Sequence, residues 1–386
     1  MSYQQALDSA AAKVAVDKLH LRFNMSRDNA INVWSQARDM VIVDYDIVVD
    51  DMRFEPQEPV DSPPMYFTKV GGNERSWKLH PHAMRQMATE VGIPTTFVNT
   101  LTKGEEWERR ELSDLLNERF KRSKFKQRSF QSRASFINRV VADEVRGFVS
   151  PSFKVWLSTP HMLEAFAREC STYHAMPVEA YGSSLCFTFR SMLPLVFEPK
   201  AGEFIAIGCS FSNSDFGAGS LKVMLDVMRI ASGSPCSTKT VMFMTHGGGA
   251  RKEQEEESAI VSSDTTEMFM KAAQGKVKDA VRSALKPEAV NGLLSMVEHA
   301  MNKEVGWPKL MQYFAGKLNQ DEIASLEQII EGKKESKELP PLRYEGGTAI
   351  IDLWWASSAV AAIADSVTDV DRKADLREMA GGLLLK

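Results

Sequence analysis

Histidines, scattered cysteines and one dense run of cations are the side chains here from which a reaction or a binding site would be built. His246 stands directly before Gly247-Gly248-Gly249, the lettering of the element that donates oxyanion-hole amides in lipases and esterases. Such an enzyme also needs a serine on a Gly-x-Ser-x-Gly elbow, and no Gly-x-Ser in the chain is followed by x-Gly in register. The run therefore reads as a turn between a strand over 240–245 and an acidic helix starting at Arg251, with a hinge or an anion nest as the other reading. His80 and His82 bracket Pro81 at a helix start, without a nearby cysteine or carboxylate cluster, so a surface or capping pair outweighs zinc. Asp44 and Asp46 share a strand face and, with Asp50 and Asp51, read as the exposed side of a half-buried strand rather than a cation site. Gly275-Lys276, Gly316-Lys317 and Gly332-Lys333 lack the upstream glycine and the following Ser or Thr of a P-loop, and Gly217-Ala-Gly219 continues Ser-Leu-Lys instead of completing a dinucleotide fingerprint. The residues thus point to no catalytic group, no metal site and no cofactor.

The cationic run is the strongest chemical signal. Arg119, Lys121, Arg122, Lys124, Lys126, Arg128, Arg133 and Arg139 follow one another without an intervening acid and alternate with Phe120, Phe125, Phe130 and Phe136. These rings are five, five and six residues apart. Five steps turn a helix by about 140° and put successive residues on opposite faces of a strand, so neither regular element gathers the rings into one stripe. Aromatic rings among cations suit sequence-tolerant binding of a single strand, each ring stacking on a base for about 1–3 kcal/mol while the cations follow phosphates. The competing reading is a helix-to-strand junction with its rings buried and its cations solvated or paired with acidic parts of the chain. Arg190 and Lys222, on the polar faces of their strands, are candidates to extend such a groove. The nucleic-acid-binding set expected is thus Arg119, Lys121, Arg122, Lys124, Phe125, Lys126, Arg128, Phe130, Arg133, Arg139, Arg190 and Lys222.

Charge arithmetic isolates the same region. The chain of 386 residues has a net charge of -4, with 44% hydrophobic and 25% charged residues, too apolar for wholesale disorder and too balanced for a polybasic coat. Residues 1–66 carry 6 basic and 11 acidic side chains, and residues 250–386 carry 18 and 23. Between Arg119 and Leu157 there are ten basic residues against Asp143 and Glu144 alone. Since phosphate neutralisation supplies most non-specific nucleic-acid affinity, a site of that kind belongs here. The four cysteines form no CxxC pair and lie in apolar or strand-like runs, as buried reduced thiols do. No basic-then-apolar leader and no run of roughly 18 apolar residues is present, which sets the expectation of a cytoplasmic protein without membrane contact.

The elements that must position these groups follow from periodicity and breakers. A helix is expected over 4–19, a second short helix after Ser26, and a strand over 40–49. Residues 54–64 hold four prolines and read as a linker or an edge loop. His80-Pro81-His82 opens a helix ending at Gly92, and Glu105 to Phe120 is amphipathic. A strand over 145–149, a helix after Thr159-Pro160, and three strand runs (178–191, 203–212, 221–230) follow. Their separation by turn-rich stretches predicts one antiparallel sheet over 145–230 under the 160–170 helix. In that sheet Phe187 and Phe189 should face the helix, with Thr188 and Arg190 facing away. From Glu253 the pattern is mainly helical, and 348–364 is apolar almost all round, so it should be buried.

Several runs resemble a known family. Arg146-Gly-Phe-Val-Ser150 with Phe153, GCSFSNSDFG at 208–217, SLKVMLDVMR at 220–229, and TAIIDLWWASSAVAAIAD at 348–365 followed by Leu376 and Gly381-Gly382 are similar to the phage- and plasmid-encoded proteins catalogued as domain of unknown function 932. The likeness spans roughly residues 75–386. The chain has Cys236-Ser237-Thr238 where that family has a cysteine, an asparagine and a glycine. The resemblance implies a virus or mobile-element setting and assigns no chemistry. The order strand, helix, three strands, after a basic segment and before helices, is also similar to the core of phage single-strand annealing proteins used in recombination, an analogy of topology alone.

The fold expected is α+β, with a central antiparallel sheet (strand, helix, three strands) and a mainly helical C-terminal half. Its parts are 1–66 (helices and strand), 67–250 (central α+β) and 251–386 (helical). The expected function is phage-encoded single-stranded DNA binding or annealing in the host cytoplasm, possible homo-oligomer included. The alternative is a non-catalytic interaction factor acting on host protein.

Overall fold

No glycine or proline interrupts Ala10 to Asp39, and the chain runs there as one helix, α1 (Ala10–Asp39), with the Ser9 side chain accepting from the Ala12 amide. Two helices were expected. One forms because Leu19, Phe23, Ser26 and Ala30 carry the same buried stripe across the supposed gap. The computed structural model describes residues 9–56, 63–122, 135–149, 157–246, 263–330, 339, 342–345 and 348–386.

After α1 come β1 (Val43–Val48), β2 (Arg53–Glu55), β3 (Met65–Val70), β4 (Asn73–Leu79), α2 (Pro81–Glu90), α3 (Thr95–Lys103), α4 (Glu106–Arg122), β5 (Ser135–Val141) and β6 (Glu144–Val149). The six strands form one sheet in the order β1-β5-β6-β4-β3-β2, in which only β4 and β6 pair in parallel. The boundary expected at residue 66 therefore cuts through a sheet, since β1 and β2 pair with strands of the following region. Phe54, Tyr66, Trp77, Met84, Met87, Leu112, Leu116, Phe120, Phe136 and Phe148 fill the core between this sheet and helices α2 to α4. At the edge strand β1, the alternate side chains Asp44 and Asp46 are exposed, and charges so placed discourage pairing with another sheet.

The second layer comprises α5 (Thr159–Thr172), β7 (Met176–Gly182), β8 (Phe187–Met192), β9 (Phe197–Lys200), β10 (Glu203–Asn213), β11 (Leu221–Arg229) and β12 (Pro235–Met244). Its antiparallel sheet has the order β12-β11-β10-β8-β7, with β9 added to β10. The strand expected over 145–149 is β6 and belongs to the first sheet, drawn there by its pairing with β5 and β4. The run 178–191 divides into β7 and β8, because the Ser183 hydroxyl accepts from the amides of Leu185 and Cys186 and closes a turn. Phe187 and Phe189 pack with Phe166 of α5 in the main core, as their alternation predicts. Edge strand β7 is covered by α1: Arg22 Nε and Ser26 Oγ donate to Val178 O, and Asn29 Nδ2 donates to Ala180 O. Sheet-edge carbonyls that would otherwise recruit another strand are satisfied in this way.

Helices α6 (Ser263–Leu285), α7 (Pro287–Asn302), α8 (Trp307–Phe314) and α9 (Gln320–Ile330), a small hairpin of β13 (Arg343–Glu345) and β14 (Thr348–Ile350), then α10 (Leu353–Ser366) and α11 (Val370–Leu383) complete the chain. The α+β class and the mainly helical C-terminal part follow directly. The expected apolar helix starts at Leu353, where Asp352 accepts from the Trp355 amide, and Trp354 and Trp355 are buried.

The face of the second sheet turned from α5 carries a buried ionic seam. Arg190 on β8 donates from Nε to Asp226 (3.0 Å), from Nη1 to Glu179 (2.6 Å) and the Tyr181 hydroxyl (3.0 Å), and from Nη2 to Ser237 (3.3 Å). Arg377 on α11 donates to Glu179, Asp365 and the Ala361 carbonyl, and Lys373 stands 3.8 Å from Glu179. Three cations thus meet three carboxylates, which is how buried charge is tolerated. Burial raises Glu179, but Arg377, Arg190 and Lys373 outweigh it and hold its carboxyl at about 2. Asp226 is completely buried, and Arg190 with the Ser210 and Ser237 hydroxyls offsets that only in part, so its carboxyl is pushed up to about 6.

Candidate nucleic-acid interface

Helix α4 is acidic in its first turn (Glu106, Glu108) and basic in its last (Arg119, Lys121, Arg122), the order that suits the helix dipole. Its buried stripe of Leu112, Leu116 and Phe120 fixes it on the first sheet, which leaves Arg119, Lys121 and Arg122 exposed. Lys121 and Arg122 approach Glu118 at 3.8 and 2.9 Å, exposed pairs that hold their side chains only weakly. Phe120 meets Phe148 edge-on at 6.3 Å, and Phe136 at the start of β5 stacks on the same ring at 4.4 Å. Phe120 in the last turn of α4 and Phe136 at the start of β5 thus meet one aromatic side chain in the core, with Phe54 stacked on Phe120.

Lys124, Phe125, Lys126, Arg128, Phe130 and Arg133 lie outside the described residues. Of the four rings in the cationic run, Phe120 and Phe136 are core side chains, as the junction reading expects. Arg139 must be withdrawn from the contact set. It is 1% exposed, lies 3.2 Å from Asp44 and donates to the Asp215 carbonyl, because its strand β5 turns it into the junction between the two sheets. Arg190 must be withdrawn for the same reason, being consumed by the ionic seam. Lys222 on β11 is half-buried and held by the Glu378 carboxylate at 2.9 Å, on the second sheet rather than beside α4. Sequence reasoning missed Phe148, although the Arg146-Gly-Phe-Val run that contains it had been singled out.

The GCSFSNSDFG run is the hinge-pin between layers. A Cβ at Gly208 would fall 1.9 Å from the Ser191 carbonyl oxygen, so only glycine lets β10 and β8 approach there. Asn213 donates to Leu157 O (2.7 Å) and Thr159 Oγ1 (3.0 Å), and the Asp215 carboxylate accepts from the Thr159 amide at 3.0 Å at the start of α5. From the first sheet's side, Gln86 Nε2 donates to Phe216 O at 3.0 Å, and His82 Nε2 lies 3.3 Å from the same oxygen.

The histidines are structural by the same test. His246 accepts from the Leu157 amide through Nδ1 and donates through Nε2 to Asn213 Oδ1 at 2.8 Å; burial, aided by Arg139, lowers it to about 4, so it is neutral. Residues 247–249 lie outside the described residues. His80 Nε2 is 2.9 Å from Ser184 Oγ, a distance suited to a serine activated by a base. Its Nδ1, however, accepts from the His82 amide as the cap of α2. Burial lowers the His80 ring and favours its neutral form, in which Nδ1 is the acceptor and Nε2 carries the proton that it donates to Ser184. Among the described residues no group of three or more His, Cys, Asp or Glu side chains is placed to hold a metal ion, and no described helix is long and apolar enough to cross a membrane.

Comparison with models of protein families, with curated proteins and with solved structures found no match in any of the three.

Proposed function

We propose that the chain binds single-stranded nucleic acid through the cationic run from Arg119 to Arg133, as a protein of the phage- and plasmid-encoded family catalogued as domain of unknown function 932. The observation that carries this reading is the concentration of seven cations (Arg119, Lys121, Arg122, Lys124, Lys126, Arg128, Arg133) without an acid, entered from the exposed end of α4 and closed at both ends on Phe148. Phe120 and Phe136, which flank the run in sequence, meet the same core side chain, and cations this close in sequence suit engagement of several phosphates of one strand together. Phe125 and Phe130, within the run, supply rings for stacking. Annealing or protection of strands in phage DNA metabolism inside the host cytoplasm is the setting this reading implies.

The test is a titration of labelled single strands and duplexes at about 50 and 200 mM salt, where phosphate binding must weaken steeply. Replacing Lys121, Arg122, Lys124, Lys126 and Arg128 by glutamine should lower affinity and flatten the salt slope by about 0.7 per lost contact. Phe125→Leu or Phe130→Leu should weaken binding with the slope almost unchanged. Folded protein without salt-sensitive binding would refute the proposal and leave the alternative, a contact of the basic run with an acidic host protein.

A further inference from the structure

Helix α1 buries one stripe against β7, yet its opposite side is not an ordinary polar surface. Val14, Leu21 and Met25 are 55%, 58% and 68% exposed, and they lie on one line down the helix, because steps of seven and four residues return to nearly the same direction at 3.6 residues per turn. Lys18, Asp28 and Asn32 lie on that line too and are exposed. From Lys18 the spacing through Leu21, Met25, Asp28 and Asn32 alternates three and four, the pattern of a coiled-coil seam. Among the described residues neither Lys18 nor Asp28 forms an ion pair. Arg22 beside the seam is turned inward to the Val178 carbonyl.

We infer that this seam is a docking surface for a second copy of the same chain, with the two α1 helices packed antiparallel about a two-fold axis at the level of residue 23. That axis carries position 21 onto 25, 18 onto 28 and 14 onto 32. Leu21 of each copy then meets the partner's Met25, the Lys18 ammonium meets the partner's Asp28 carboxylate, and Val14 lies over the aliphatic part of the partner's Asn32. An isologous contact uses each complementary pair twice, and this one has an apolar centre flanked by opposite charges at both ends. A parallel arrangement would set Lys18 against Lys18 and Asp28 against Asp28, so charge selects the antiparallel one. The seam runs about 27 Å at 1.5 Å per residue, which makes a contact at the small end of specific interfaces. The surface lies on α1, and the inference stands independently of the nucleic-acid reading.

The experiment is sedimentation or light scattering of the full chain over about 1–100 µM, a range suited to a contact of this size. The expected result is a concentration-dependent dimer for the native chain. Leu21→Glu and Met25→Glu should each leave monomer at the highest concentration, with the helical circular dichroism unchanged because both side chains face solvent. Lys18→Glu should weaken the dimer at least tenfold, and Lys18→Glu combined with Asp28→Lys should restore it, which a loss of folding would not do. A native chain that stays monomeric, a dimer indifferent to Leu21→Glu, or a charge exchange that fails to restore association would each overturn the inference.

Discussion

Replacing Glu179 by glutamine probes the ionic seam with least change of shape. The carboxylate is 8% exposed and faces Arg190 at 2.6 Å, Arg377 at 3.1 Å and Lys373 at 3.8 Å. Glutamine keeps one acceptor oxygen, but it leaves three cations against Asp226 and Asp365 alone. Removing one partner of a buried ion pair costs about 3–5 kcal/mol. The low carboxyl value gives a similar figure: a drop from 4.5 to about 2 corresponds to about 3 kcal/mol. In urea, with a slope of about 3 kcal/mol/M, the midpoint at neutral pH should fall by about 1 M. The sign with pH is definite. Because the folded value is depressed, this stability is present above 4.5 and is lost as pH falls toward 2. The gap between native and Glu179→Gln protein should therefore close in acid. A neutral-pH shift below about 0.3 M, where surface substitutions fall, or a gap that stays constant in acid, would refute the account of the seam. Glu179→Leu combined with Arg377→Leu should recover part of the loss, since two mutually dependent charges leave together.

Asp226 should act with the opposite sign: its folded value is raised from 3.8 to about 6, so the stability it contributes is full below 3.8 and is lost as pH rises through 6. Relative to the native chain, Asp226→Asn should gain stability between pH 4 and 7 in thermal melts, and parallel profiles would contradict the assignment. Gly381→Ala should destabilise severely, because a Cβ there lies 1.8 Å from the Ser237 carbonyl oxygen and forces α11 off β12; an unchanged melting temperature would show that the helix yields freely. Phe148→Ala should cost about 3–5 kcal/mol and release both ends of the cationic run, weakening single-strand binding while leaving its salt slope in place. An unaltered affinity in the folded variant would separate the aromatic closure from binding.

Much of the local structure was legible because it is written in neighbouring residues. His80-Pro81 capping α2, the amphipathic α4, the alternation of Phe187 and Phe189 against Arg190, and the burial of Trp354 and Trp355 each follow from spacing and side-chain type within a few turns. The cationic run is likewise a property of composition, and so are the α+β class and the helical C-terminal part. Pairing between distant segments was not legible. Nothing in Glu144 to Val149 says whether that strand joins the sheet before it or the one after it; the choice rests on the parallel register with β4 and the antiparallel one with β5. Arginine is ambiguous for the same reason. Arg119 and Arg139 look alike in sequence, yet α4 ends in solvent while β5 carries its arginine into the junction beside Asp44 and Asp215. Tertiary structure alone decided which cations face water, because burial of a charge depends on carboxylates and carbonyls that the fold brings from far along the chain.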